Sequence, residues 1–243
     1  MIVSLTAILF ALSVVSGMLG IGVAFAAVPF LSFYLPDLVN QVQPLSLLLN
    51  GVTALFSCFA FAQRGYVPWR RAGWLALCTT ACAPPGAWLA RLVAPAAVWM
   101  VYFASVVYVC YRLFKPQLAV GQPENFRLAL ILAVPISIVS GFLGVGPGFL
   151  LMPALMLVGF DARRAAGMNA LAVTPSSFAA VLPHVPHAQF DLAFDLPLLI
   201  VGAVGSFVGG RLASRAIPEQ YLRLVFGAAI VGATLYQLAR MLF

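Results

Sequence analysis

Long apolar stretches follow one another along almost the whole chain, separated by short polar breaks. They run over roughly 2–35, 41–63, 72–93, 96–114, 127–159, 165–183, 195–214 and 220–243. Each is comparable with the about 20 mainly apolar residues that a membrane-crossing helix requires. Little chain remains for an aqueous domain. The pattern predicts an all-α integral membrane protein with about eight hydrophobic segments. The first run has no basic flank and no small-residue cleavage site, and it continues to Leu35. It therefore reads as a structural segment and not as a removable signal peptide.

The polar positions inside these runs are ordered. Gln43, Ser46, Asn50, Thr53 and Ser57 recur at three- and four-residue steps and so share one helix face. A polar stripe on a spanning helix faces the protein interior or an aqueous cavity. Interhelical hydrogen bonding, or bonding back to the preceding turn, would serve the same residues without a ligand. Both readings stay open for Asn50 and Thr174, whereas Ser57 fits the packing reading better. Asn169 and Ser176 lie on another face of the sixth segment.

Sliding the chain by 124 residues places Val15-Ser16-Gly17-Met18-Leu19-Gly20-Ile21-Gly22 on Val139-Ser140-Gly141-Phe142-Leu143-Gly144-Val145-Gly146. Without a gap, the same shift matches Phe25 with Phe149, Pro29 with Pro153, Asp37 with Asp161, Leu47 with Leu171, Gly86 with Gly210 and Arg91 with Arg215. The organisation expected is one repeat over residues 1–115, a linker at 116–126 and a second repeat over 127–243. Equivalent loops carry unequal charge. The loop with Arg64, Arg70 and Arg71 corresponds to one with Asp191 and Asp195. The loop at Asp37 corresponds to one with Arg163 and Arg164, and the region of Arg91 to one with Arg211, Arg215 and Arg223. Because basic loops stay on the cytoplasmic side, the two repeats should have inverted topology.

Inversion needs an odd number of crossings per repeat. A single helix over 2–35 would be about 50 Å long, against a hydrocarbon core of about 30 Å. Gly17, Gly20, Gly22 and Pro29 interrupt the first run, and Gly141, Gly144, Gly146, Pro147, Gly148 and Pro153 the second. Each is expected to be a broken helical hairpin that enters and leaves on one side, followed by three ordinary helices. Both termini would then be outside, with the loops at 64–71, 112–127, 161–164 and 211–219 inside. A broken helix at membrane depth exposes backbone N–H groups at the positive end of its dipole, a suitable place for an anion. Close helix packing is the plainer use of such glycines.

Composition narrows the function classes. Of 243 residues, 63% are hydrophobic and 8% charged, with a mean hydropathy of +1.06. A soluble domain carries about 25% charged residues. No apolar run contains a central Asp, Glu or His, so no catalytic residues and no enzyme are expected. The net charge of +7 comes from arginines set singly or in pairs at segment ends, which suits anchoring and orientation and not a nucleic-acid face. Cys58, Cys78, Cys82 and Cys110 read as small packing residues. His184, His187, Asp191 and Asp195 fall in one loop punctuated by Pro183 and Pro186. They read as incidental titratable groups, with proton coupling as the other use; no metal or cofactor is expected.

At the glycine-rich breaks the chain resembles the TauE/SafE family of sulfite exporters, also called the toluene-sulfonate uptake permease family. The resemblance covers nearly the whole chain. It is closest over Gly144-Val145-Gly146-Pro147-Gly148-Phe149-Leu150-Leu151-Met152-Pro153, where Pro147 replaces one glycine of the family's pattern. The first copy reads Val23-Ala24 after Gly22, and the sixth segment reads Gly167-Met168-Asn169 where relatives commonly have Gly-Thr-Ser. The resemblance implies transport of sulfite, sulfoacetate or related organosulfonates by proton-linked secondary transport in the bacterial inner membrane.

The substrate-binding residues expected are Gly17, Gly20, Gly22, Asn50, Thr53, Gly141, Gly144, Gly146, Gly148, Asn169, Thr174 and Ser177. The partners expected are the small anion, the lipid bilayer and coupling protons, with a homodimer left open. A passive anion channel, or a permease for a small organic carboxylate, is the alternative.

Overall fold

The computed structural model describes residues 2–114 and 123–213. The segment expected at 220–243, Arg215 and Arg223, and linker positions up to 122 lie outside the described residues. Among those described there is no strand. The helices are α1 (Ile2–Leu19), α2 (Ala24–Leu31), α3 (Gln43–Ala62), α4 (Trp69–Ala90), α5 (Pro95–Phe114), α6 (Phe126–Leu143), α7 (Gly148–Leu157), α8 (Ala162–Val181) and α9 (Leu192–Ala213). A π-helical turn, Leu38–Val42, leads into α3.

Neither long glycine-bearing run is a continuous rod. In α6 the chain ends on Gly144, whose φ of 69° is left-handed. The Gly144 N–H then donates to Gly141 O and the Val145 N–H to Ser140 O, both at 3.1 Å. At the end of α1 the Gly20 and Ile21 amides repeat this pattern on Gly17 O and Ser16 O. Gly22 and Gly146, at φ 75° and 67°, then turn the chain into α2 and α7. An ordinary side chain at such a φ costs about 1–2 kcal/mol. The second run returns to where it began, because the Asn125 N–H donates to Val158 O at 2.9 Å.

Hydrogen bonds and ion pairs sort the loops into two ends. At the first, Arg71 pairs with Glu124, Glu124 with Arg164, Arg163 donates to Tyr66 Oη, and Arg211 reaches Gln63. At the other, the Gln189 N–H donates to Asn40 O, Gln41 bonds Gln189, and Arg91 donates to Pro183 O. Helix α4 connects the two, with Arg71 in its first turn and Arg91 just past its last; its 22 residues span about 33 Å. Among the described side chains, Arg64, Arg70, Arg71, Arg127, Arg163, Arg164 and Arg211 belong to the first end and Arg91 to the second.

Helix α1 lies along α9, α4 along α6 and α8, and α3 against α8 and α9. Glycine makes these approaches close. A Cβ at Gly17 would strike the Ser206 backbone, and one at Gly141 the Ala83 carbonyl. The outward faces are apolar, with Trp74, Leu77, Trp88, Met100, Ile131 and Ile200 exposed. Among the described residues, Leu38–Ala62, Phe126–Leu143 and Leu192–Ala213 are long and apolar enough to cross a membrane.

Candidate functional site

The polar face of α3 is fully buried and runs from one helix break to the other. Ser57 Oγ donates to Gly17 O at 2.8 Å. Thr53 Oγ1 accepts from the Val23 N–H at 3.2 Å, and Asn50 Oδ1 from the Ala24 N–H at 3.0 Å. Further along, Ser46 Oγ donates to Gly144 O at 2.6 Å and Gln43 Nε2 to Phe142 O at 3.2 Å. A periodic stripe on α3 thus becomes a ladder of contacts to both interrupted runs.

Helix α8 supplies the opposite wall. Asn169 Nδ2 donates to Gly20 O at 2.8 Å and to Gly148 O at 3.1 Å, so one side chain ties the two breaks together. Ser177 Oγ accepts from Asn50 Nδ2 at 2.9 Å. Thr174 Oγ1 donates to Ala170 O in the preceding turn of its own helix. A Cβ on Gly22 would overlap Asn50 Oδ1; one on Gly146 would overlap Asn50 Nδ2 and crowd Ser177 Oγ.

The two breaks are chemically unequal. At the start of α2, the Val23 and Ala24 amides are satisfied by Thr53 and Asn50. At the start of α7, Pro147 has no N–H to offer. Among the described residues, no side chain accepts from the Gly148 or Phe149 amide. The first amides of α7, with the positive end of its dipole, suit negative charge. Around this point Gln43 Oε1, Ser140 Oγ and Asn169 Oδ1 are buried without a hydrogen-bond partner. Phe25 and Phe149 stack between the half-helices, and Tyr102 of α5 donates to Phe25 O at 2.6 Å.

Of the residues expected in the site, Gly20, Gly22, Asn50, Thr53, Gly144, Gly146, Gly148, Asn169 and Ser177 come together. Gly17 and Gly141 lie a turn earlier, where α1 meets α9 and α6 meets α4. Thr174 is buried but bonds within α8. Gln43 and Ser46 belong to the constellation although only their periodicity was visible in the sequence. Tyr102 has no sequence signal; Phe25 and Phe149 stand out in the sequence only as a matched pair under the 124-residue shift.

The loop at 183–191 is separate from this interior. His184 is buried, and burial with the nearby Arg91 charge pushes its imidazole down to about 4. It is therefore neutral through the physiological range. Among the described residues, no three His, Cys, Asp or Glu side chains form a group that could hold a metal ion.

Two proteins of Xylella fastidiosa, from strains Temecula1 and 9a5c, are each 26% identical to the chain over 235 residues, covering 92% of it and 90% of their own length. Both are named "Probable membrane transporter protein". No solved structure matches the chain. Together with interrupted helices inside an apolar-faced bundle, these relatives define the class as a membrane transporter. The family model "Sulfite exporter TauE/SafE" matches residues 5–237, and the chain belongs to that family.

Proposed function

We propose that this protein is a multi-pass secondary transporter of the bacterial inner membrane that moves small sulfur-containing anions, such as sulfite, sulfoacetate or other organosulfonates, by alternating access. The anion binds where the two interrupted runs meet. The observation that carries this reading is the α7 N-terminus, whose Gly148 and Phe149 amides find no side-chain acceptor among the described residues. Asn50, Ser177 and Asn169 wall that point, and Gly146 lets the backbone there approach Asn50 and Ser177 closely. Gly17 and Gly141 act by letting the helices approach, and Thr53 by holding the α2 break in shape.

The same reading takes the two halves as inverted repeats. Under the 124-residue shift, α1 (Ile2–Leu19) falls on α6 (Phe126–Leu143), and α2, α3 and α4 overlap α7, α8 and α9. The main packing pairs map onto one another under that exchange: α1 with α9 becomes α6 with α4, and α3 with α9 becomes α8 with α4. Asp37 and Asp161, matched by the shift, each accept two backbone N–H groups at a helix start. They do so at opposite ends of α4. Excess arginine at the Arg71 end puts that end in the cytoplasm.

Uptake of labelled sulfite into proteoliposomes tests the function. Wild type should show saturable uptake and counterflow, while Gly146→Leu and Asn50→Ala insert normally and lose flux. Unchanged flux in both variants would remove the break from the mechanism, and uptake without counterflow would point to a pore.

A further inference from the structure

At the arginine-rich end, three helices begin close together: α4 at Trp69, α6 at Phe126 and α8 at Ala162. Each points the positive end of its dipole at the same region. Favourable charge there would be acidic. Instead the first turns carry Arg70 and Arg71 on α4, Arg127 on α6, and Arg163 and Arg164 on α8. Retention of basic loops explains why arginines lie on this side of a membrane. It does not explain why two of them, on different helices, converge on a single carboxylate.

That carboxylate is Glu124. One of its oxygens pairs with Arg71 Nη1, and the other with Arg164 Nη1 at 3.0 Å. Arg164 also lies beside a second carboxylate, its Nε 3.6 Å from Asp161 Oδ2. A cavity of about 500 Å³ opens beside the pair, lined by Tyr66, Trp69, Arg70, Arg71, Glu124 and Arg164. The guanidinium groups are about half exposed, so an anion can reach them without unfolding the bundle.

We infer that Arg71 and Arg164 form a second, peripheral site for a small oxyanion, which Glu124 occupies as an internal competitor. Each guanidinium takes one oxygen of the carboxylate, and a sulfite or sulfonate group can present two oxygens to the same pair. The anion displaces Glu124 on its way to or from the central break. Glu124 swings aside, and Asp161 keeps Arg164 in place. The internal carboxylate makes occupancy weak and reversible, as a vestibule on a transport route requires. This inference rests on the anion-transport reading for the identity of the ligand.

Titration calorimetry on the full chain in neutral detergent, with sodium sulfite at constant ionic strength, tests it without requiring transport. The Glu124→Gln protein should bind sulfite about tenfold more tightly at this end than wild type. Adding Arg71→Gln or Arg164→Gln should abolish the gain, whereas adding Arg211→Gln, an equal change of charge at the same end, should preserve it. Equal affinity in wild type and Glu124→Gln would overturn the site. So would a gain that survives Arg71→Gln and Arg164→Gln, or capture of phosphatidylglycerol with indifference to sulfite. Loss of flux in the Gly146 variant alongside an intact Glu124→Gln gain separates this site from the central one.

Discussion

Phe25 and Phe149, 124 residues apart in the chain, lie with ring centroids 4.1 Å apart and planes 17° from parallel. They sit in the first turns of α2 and α7, so the stack fixes the distance between the two half-helices. Phe149→Ala should cost about 3–5 kcal/mol, as expected for truncating a buried aromatic, and Phe149→Leu distinctly less. Thermal unfolding of the purified proteins in detergent measures both. A small effect in Phe149→Ala would mean that the half-helices are held elsewhere.

Asn50 closes the first break by accepting the Ala24 N–H and joins α8 by donating to Ser177. Asn50→Ala leaves a buried amide unpaired and should cost about 1–3 kcal/mol. Asn50→Asp keeps the acceptor and loses the donor, and it also brings a carboxylate beside the proposed anion site. It should therefore lose sulfite uptake more completely than it loses stability, which paired melting and flux assays would reveal.

Gly146 and Gly65 have similar left-handed φ values, 67° and 73°. A Cβ at Gly65 meets open space, whereas one at Gly146 runs into Asn50 and Ser177. Gly65→Ala should therefore incur only the backbone cost of about 1–2 kcal/mol, and Gly146→Ala clearly more. Equal melting temperatures for the two variants would contradict the close approach at the second break.

His184 has a folded value near 4 against an ordinary 6.5, principally because it is buried. The unfolded chain therefore takes up a proton first on acidification. The stabilising contribution is complete above about pH 6.5 and is lost as pH falls toward 4, amounting to about 3 kcal/mol at most. Melting temperature should fall over that window in wild type and fall less in His184→Gln.

In a cysteine-free background, Arg70→Cys and Gln189→Cys should label from opposite sides of sealed vesicles. The two residues lie near opposite ends of α4, a distance that matches the thickness of a bilayer core. Labelling of both from one side would refute the orientation proposed.

The interruptions were legible because their causes are local. Glycine tolerates a left-handed φ wherever it occurs, so paired Gly-x-x-Gly-x-Gly runs announced where α1 and α6 had to stop. The α3 stripe was legible for a similar reason, since a 3.6-residue period needs no knowledge of neighbours. Asn169 carries no such sign: nothing near it in sequence hints that its amide spans from Gly20 to Gly148. Glu124 fell inside the segment read as a linker, because a charge in a short polar stretch has no local sign of its partners.

By itself the sequence determined the membrane setting, the helical class, the two breaks and the buried polar face, all consequences of apolar run length, period and glycine. Tertiary structure alone decided that Thr53 and Asn50 cap the Val23 and Ala24 amides while, among the described residues, no side chain caps those of Gly148 and Phe149. It also decided that α3 reaches both breaks and that Arg71 and Arg164 share one carboxylate. These are distances between residues up to 99 positions apart, and such distances depend on how whole helices pack, which no local preference encodes.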